Sequence, residues 1–169
     1  ETGMTIDGDR TEEKQASLYL NMYLSQFKRN WSYTSVYLLR DRSDEAGNQS
    51  FGLYKADYTP RKSAVYLHNM TSILADRPSA RKMSSLEYSL GNLPETVHDL
   101  LLQNSNGKFQ LVIWNERAKG SNEVRVDLGK LAGSVKVYDP TIGTSPVQSL
   151  SNTKSVKLTL TDHPVILEI

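Results

Sequence analysis

The stretch Tyr33-Thr34-Ser35-Val36-Tyr37-Leu38-Leu39 (residues 33–39) decides the fold class of the first part of this chain. It is rich in β-branched and aromatic residues and almost continuously apolar, so it reads as a short strand buried on both faces, as in a parallel sheet. Helical patterns stand on either side of it. Upstream, Ala16, Tyr19, Leu20, Tyr23 and Phe27 recur at spacings of three and four, which predicts an amphipathic helix of about four turns. Thr11 is its expected N-cap, Glu12 and Glu13 suit its first turn, and Lys28 and Arg29 suit its last. Downstream, after a polar loop from Arg40 to Ser50, Thr59-Pro60 is expected to start a second helix, with Thr as cap and Pro in the first turn. Ala64, Leu67, Met70, Ile73 and Leu74 form its apolar face, and it stops before Pro78. Helix, buried strand, helix is a piece of an α/β fold. One such strand leaves its edges unpaired and its faces wet, so this region calls for more sheet, from preceding sequence or from another chain.

After about Ser79 the rhythm changes to short alternating runs: 97–103, 109–114, 124–128, 134–138, 155–160 and 164–169. Asn106-Gly107 between two of them is a hairpin signal, since both residues tolerate positive φ. Asp139-Pro140 and Gly143 mark another turn. The pattern predicts an antiparallel β-sandwich over residues 79–169.

Composition removes several classes of function. Lys plus Arg number 20 and Asp plus Glu number 19 in 169 residues. Neither half of the chain carries the basic excess that binding to a phosphate backbone demands, so no nucleic-acid partner is expected. No stretch approaches the ~20 apolar residues of a membrane span. Cysteine is absent, which excludes disulfide staples and thiolate metal sites. His68, His98 and His163 make no pair at helical spacing, so no metal site is expected.

Three groups of residues carry a family resemblance. Glu1-Thr2-Gly3 precedes the first helix. Tyr37-Leu38-Leu39-Arg40-Asp41 ends the apolar run. Phe51-Gly52-Leu53, Asp57, Thr59-Pro60, Lys62 and Ala64 lead into the second helix. Together they resemble the end of the catalytic barrel of clan A glycoside hydrolases. The runs 100–116, 135–143 and 162–169 are similar to the β-sandwich appended to many such enzymes. The resemblance implies the terminal portion of a (β/α)8 barrel over residues 1–78 (the end of the seventh strand, seventh helix, eighth strand, eighth helix), with the sandwich over 79–169.

It also implies a reaction. Clan A enzymes cleave β-glycosidic bonds with retention, using two carboxylates about 5 Å apart. Carried over, the nucleophile is Glu1, and the acid/base Glu has no counterpart in the 169 residues. The chain then acts only with the preceding barrel segment as partner, on a poly- or oligosaccharide, without cofactor, in a secreted or periplasmic enzyme. Tyr37, Arg40, Asp41 and Asp44 fall at the C-terminal end of the expected eighth strand, the face where barrel enzymes build their sites, and are the expected sugar-binding residues.

Other readings stay open. Glu1 is either the nucleophile or part of an unrelated N-terminal remnant. Arg40, Asp41 and Asp44 bind sugar or form ordinary ion pairs on a solvated loop. A different class of function is a non-catalytic carbohydrate- or partner-binding sandwich, with Trp114, Tyr88 and Tyr138 as a row of exposed aromatics. Trp114 otherwise belongs to the sandwich core.

Overall fold

The computed structural model describes residues 2–77, 83–91 and 93–169. Helix α1 spans Glu12–Lys28, and α2 spans Lys62–Ile73. Six strands follow: β1 (Ser89–Gly91), β2 (Val97–Gln103), β3 (Phe109–Asn115), β4 (Asn122–Tyr138), β5 (Gln148–Leu160) and β6 (Val165–Glu168). Neither helix is long and apolar enough to cross a membrane.

Helix α1 forms as its local code dictates. The Lys14 amide donates to Thr11 Oγ1 at 3.3 Å, and Glu12 and Glu13 occupy the positive end of the helix. Helix α2 begins later than expected. Its N-cap is Arg61, which makes no side-chain cap bond. Thr59 is not the cap: its amide donates to Asp57 Oδ1 at 2.9 Å, its carbonyl accepts from Lys55, and Pro60 bridges to Tyr54. A residue before proline is pushed into extended backbone, and here that extended pair is captured by residues 54–55 instead of opening a helix.

The expected strand at 33–39 also departs from expectation. Only isolated parallel bridges form, Thr2 to Val36 and Arg40 to Tyr54. A ladder requires a neighbour along its length, and the described segment beside it is a few residues long. Tyr33 and Leu39 consequently stand 82% and 68% exposed.

All six strands belong to one antiparallel sheet, ordered β1-β4-β6-β3-β2 with β5 on the other side of β4. Two facing sheets were expected. Instead a single sheet curls into a half-barrel, and its concave interior is the core built from Leu111, Ile113, Val126, Val135, Leu158 and Leu167 among others. The bend lies within β4. Residues 124–128 and 134–138, expected as two strands, are one, and its register against β5 shifts between Asp127 and Ala132. Gly129 adopts φ +67 within this irregularity, a conformation glycine reaches without strain. One half of β4 thereby pairs with β1 and the other with β6. The Asn106-Gly107 hairpin forms as expected, with Gly107 at φ +89 between β2 and β3.

The helices cover the outer face of this sheet. Alternation along β3 sends Leu111 and Ile113 into the concave core, while Val112 and Trp114 meet Ala16, Leu20 and Leu24 of α1 and Tyr66 and Met70 of α2. The boundary expected at 78–79 lies outside the described residues at Pro78 and Ser79, but the segments on either side share this apolar layer. Polar contacts reinforce it. Asn21 Nδ2 donates to the carbonyls of Asn115 (3.1 Å) and Asp162 (2.8 Å), and Lys28 Nζ lies 3.2 Å from Asp99.

Candidate functional site

Glu1, the expected nucleophile, lies outside the described residues. Its neighbour Thr2 pairs in parallel with the expected eighth strand: the Thr2 amide donates to Ser35 O at 3.1 Å, and the Tyr37 amide donates to Thr2 O at 2.7 Å. The approach is close enough to demand glycine next door. A Cβ on Gly3 would lie 2.3 Å from the Tyr37 carbonyl oxygen. Gln15 and Tyr19 of α1 hold the segment from behind, with Gln15 Nε2 donating to Met4 O at 2.7 Å and the Met4 amide donating to the Tyr19 hydroxyl at 3.2 Å. Tyr37 meets Phe51 edge-on, with ring centroids 5.4 Å apart.

Asp41 is a structural hub. One carboxylate oxygen accepts the Gly52 amide at 2.7 Å, and the other accepts from Arg61 Nη2. Arg61 Nη1 donates to Glu12 Oε1 at 2.7 Å, so one buried guanidinium joins the start of α2, the start of α1 and the end of the 33–41 segment. A guanidinium that bridges two carboxylates in this way fixes geometry as well as charge, because its N–H donors stand in a rigid plane. Asp41 is therefore consumed by internal bonds and acts on the rim of the site by holding it.

Arg40, Asp44 and Tyr58 make the accessible part of that rim. The Arg40 guanidinium sits 4.6 Å from the centroid of the Tyr58 ring, a cation–π stack. Tyr58 is 70% exposed and holds φ +67, a strained backbone for a residue with a bulky side chain. Asp44 is held by Arg42, at 2.6 Å from Nη2, and the hydrogen bond from that guanidinium brings its carboxyl down to about 2. Glu45 shares the same arginine at 2.7 Å. The four carboxylates here are thus arranged as two pairs, each sharing one arginine: Asp41 and Glu12 on Arg61, Asp44 and Glu45 on Arg42.

The structure brings Tyr37, Arg40 and Asp41 together with residues whose part the sequence did not reveal: Phe51, Tyr58 and Arg61. The phrase from Phe51 to Ala64 contained all three, but no local spacing shows that Arg61 folds back 20 residues to Asp41. The aromatic row expected on the sheet is not formed. Trp114 and Tyr138 are 1% and 9% exposed, and the half-buried Tyr88 directs its hydroxyl to Asp99. Exposed aromatics lie elsewhere, at Trp31 and Tyr33, beside a hollow of about 620 Å³ that Gln26, Asn30, Thr34 and Ser35 also line. Among the described residues, no group of three or more His, Cys, Asp or Glu side chains is placed to hold a metal ion.

Fold and site define a mixed α and β protein: two helices laid on a curled six-stranded antiparallel sheet, with a rim of arginine-paired carboxylates and stacked aromatics where 33–41 meets 51–61. No protein-family model matches the chain, and no curated protein does.

Proposed function

We propose that the chain is the C-terminal portion of a retaining glycoside hydrolase acting on β-linked poly- or oligosaccharide, with Glu1 as nucleophile and the acid/base supplied by a preceding barrel segment. The parallel pairing of Thr2 with Val36, backed by α1, is the observation that supports this reading. Parallel pairs occur in sheets covered on both faces. Among the described residues the further pairing of the 33–41 segment is the short parallel bridge from Arg40 to Tyr54, and Tyr33 and Leu39 are left in solvent. Further strands of a barrel would cover them. In such a barrel the residue before Thr2 ends one strand and Arg40 ends the next, both on the face where barrel enzymes bind substrate. Arg40 on Tyr58 then offers a charged and an aromatic surface to sugar hydroxyls and ring faces, Tyr37 and Asp44 line the same rim, and Asp41 positions it. The curled sheet, an appended domain, braces the helices. Action outside the cytoplasm, secreted or periplasmic, follows from the family resemblance alone.

The test is Glu1→Gln in the longer enzyme. Turnover is expected to vanish while the unfolding midpoint stays in place, since the change removes a nucleophile and leaves a side chain of equal size. Near-normal turnover would overturn the assignment.

A second reading, a non-catalytic carbohydrate- or partner-binding module, now has its support at Trp31 and Tyr33 beside the uncharged hollow. It predicts that the 169-residue chain alone binds glycan, with a change in Trp31 emission that Trp31→Ala abolishes. A chain that binds no glycan by itself removes the carbohydrate-binding form of this second reading.

A further inference from the structure

His163 lies in the turn between β5 and β6, facing the turn that follows β4. Its Nε2 is 3.2 Å from Asp139 Oδ2, and its Nδ1 is 3.1 Å from both Asp162 Oδ1 and Thr161 Oγ1. Asp139 cannot turn away freely, because its other oxygen already accepts the Thr141 amide and hydroxyl at 2.8 and 2.7 Å. A neutral imidazole has one N–H and one lone pair. With a carboxylate at each ring nitrogen, only the imidazolium makes both contacts as hydrogen bonds. The neutral Nε2–H ring keeps the bond to Asp139 and accepts the Thr161 hydroxyl at Nδ1, but it loses the bond to Asp162 and leaves a lone pair beside that carboxylate.

The same two turns hold the helices. Asn69 of α2 donates to Pro140 O at 2.8 Å, and Asn21 of α1 donates to Asp162 O at 2.8 Å. His163 thus joins two turns, each of which carries one helix. We propose that the doubly protonated His163 ring is a pH-operated latch that keeps the helical layer docked on the sheet and releases it as the ring loses its second proton.

The surroundings agree with this sign. Burial alone pushes the imidazole down, but the hydrogen bonds and charges of Asp139 and Asp162 outweigh it and lift the group to about 9. From α2 the facing titratable group is Tyr66, whose phenol burial raises, with further upward pushes from Glu13, Asp139 and Asp162, so it stays neutral over the range concerned. Helix α1 contributes the uncharged Asn21. Arg10, Lys14, Arg117 and Lys119 line the hollow beside Asp162, together with Asp9 and Glu116. A group whose folded value stands above its ordinary 6.5 stabilises fully below 6.5, and that stabilisation is lost as pH rises through about 9.

The experiment uses the 169-residue chain with Trp31→Phe, so that the buried Trp114, between α1 and the sheet, is the sole indole reporter. Thermal unfolding and acrylamide quenching are followed from pH 6 to 9.5. The melting temperature should fall, and Trp114 should become more quenchable, in the upper part of this range. His163→Gln, which keeps a donor but cannot take up a charge, should flatten both changes. Because that variant can fail to fold, the ring proton of His163 is also titrated by NMR in the unsubstituted chain, with an expected midpoint near 9. A midpoint at or below 6.5 would overturn the proposal. So would an alkaline fall that persists in His163→Gln, or one during which Trp114 stays as shielded as at pH 6.

Discussion

The Gly52 amide donates to Asp41 Oδ1 at 2.7 Å, and a Cβ placed on Gly52 would sit 2.5 Å from that same oxygen. The contact that orients the carboxylate therefore also forbids a side chain opposite it. The Tyr54 carbonyl oxygen and the Asp41 amide crowd the same point at 2.4 and 2.5 Å, and both are backbone. Gly52→Ala is expected to destabilise the chain by about 2–3 kcal/mol, the usual cost of overpacking where neighbours cannot yield. Urea denaturation of the variant measures this, and an unchanged midpoint would show that the 51–54 segment is free to shift.

Arg61 offers a second test. Its guanidinium spans Glu12 and Asp41, and the Arg61 and Asp41 side chains are 10% and 13% exposed. Removing the cation leaves Asp41 shielded from water with a reduced set of partners. Arg61→Met should cost about 3 kcal/mol or more, while Asp41→Asn, which keeps an acceptor for the Gly52 amide, should cost less. Equal losses in both variants would mean that the ion pair contributes little and packing dominates.

Trp114 and Tyr33 should separate cleanly. Trp114 is 1% exposed beneath α1, with Lys28 Nζ 5.8 Å from its ring centroid and the His98 ring at 5.5 Å. Trp114→Ala should cost about 3–5 kcal/mol. Tyr33→Ala, at 82% exposure, should stay within about 0.5 kcal/mol in the 169-residue chain. In a longer enzyme whose further strands cover Tyr33, the same substitution should become costly, and comparing the two contexts by chemical denaturation tests whether that face is covered there.

Tyr58 carries strain and an exposed ring together. Tyr58→Gly relieves the φ +67 backbone but removes the stack under Arg40, worth about 0.5–1 kcal/mol at an exposed site. Stability should hardly move, because the two effects oppose each other. In the longer enzyme KM should rise if the Arg40–Tyr58 pair receives sugar. A KM equal to that of the unsubstituted enzyme would remove the pair from the substrate site.

Acid should weaken the turns that alkali also weakens. The carboxyl of Asp139 is below its ordinary 3.8 because, although burial raises it, hydrogen bonds from His163 and Thr141 prevail. Asp162 is lowered first by the His163 hydrogen bond. Groups depressed in the folded state stabilise above their ordinary value, and the gain is lost as pH falls through the folded values. Stability should therefore decline below about pH 4, and His163→Gln should move the acid midpoint upward. A circular-dichroism titration of both chains reads the shift, and coincident acid limbs would count against the depression.

Features set by interactions between neighbouring residues could be read directly from the chain. The start of α1 was legible because Thr11, Glu12 and Glu13 act within one turn, and the β2–β3 hairpin because Asn106-Gly107 suits positive φ. The rim at Tyr37, Arg40 and Asp41 was legible as a cluster only through the resemblance of 37–41 and 51–64 to a barrel's end. The remaining features arise from contacts between distant segments. Whether 33–39 becomes a ladder depends on which strands lie beside it, and whether β4 runs on through Gly129 depends on β5 holding both halves. Asp41 became an internal anchor because Arg61 returns to it from 20 residues away. The six strands close into one curled sheet instead of two flat ones because β4 pairs with β1 at one end and β6 at the other. Pairing and burial at such separations depend on which surfaces meet, and no window of sequence contains both of them.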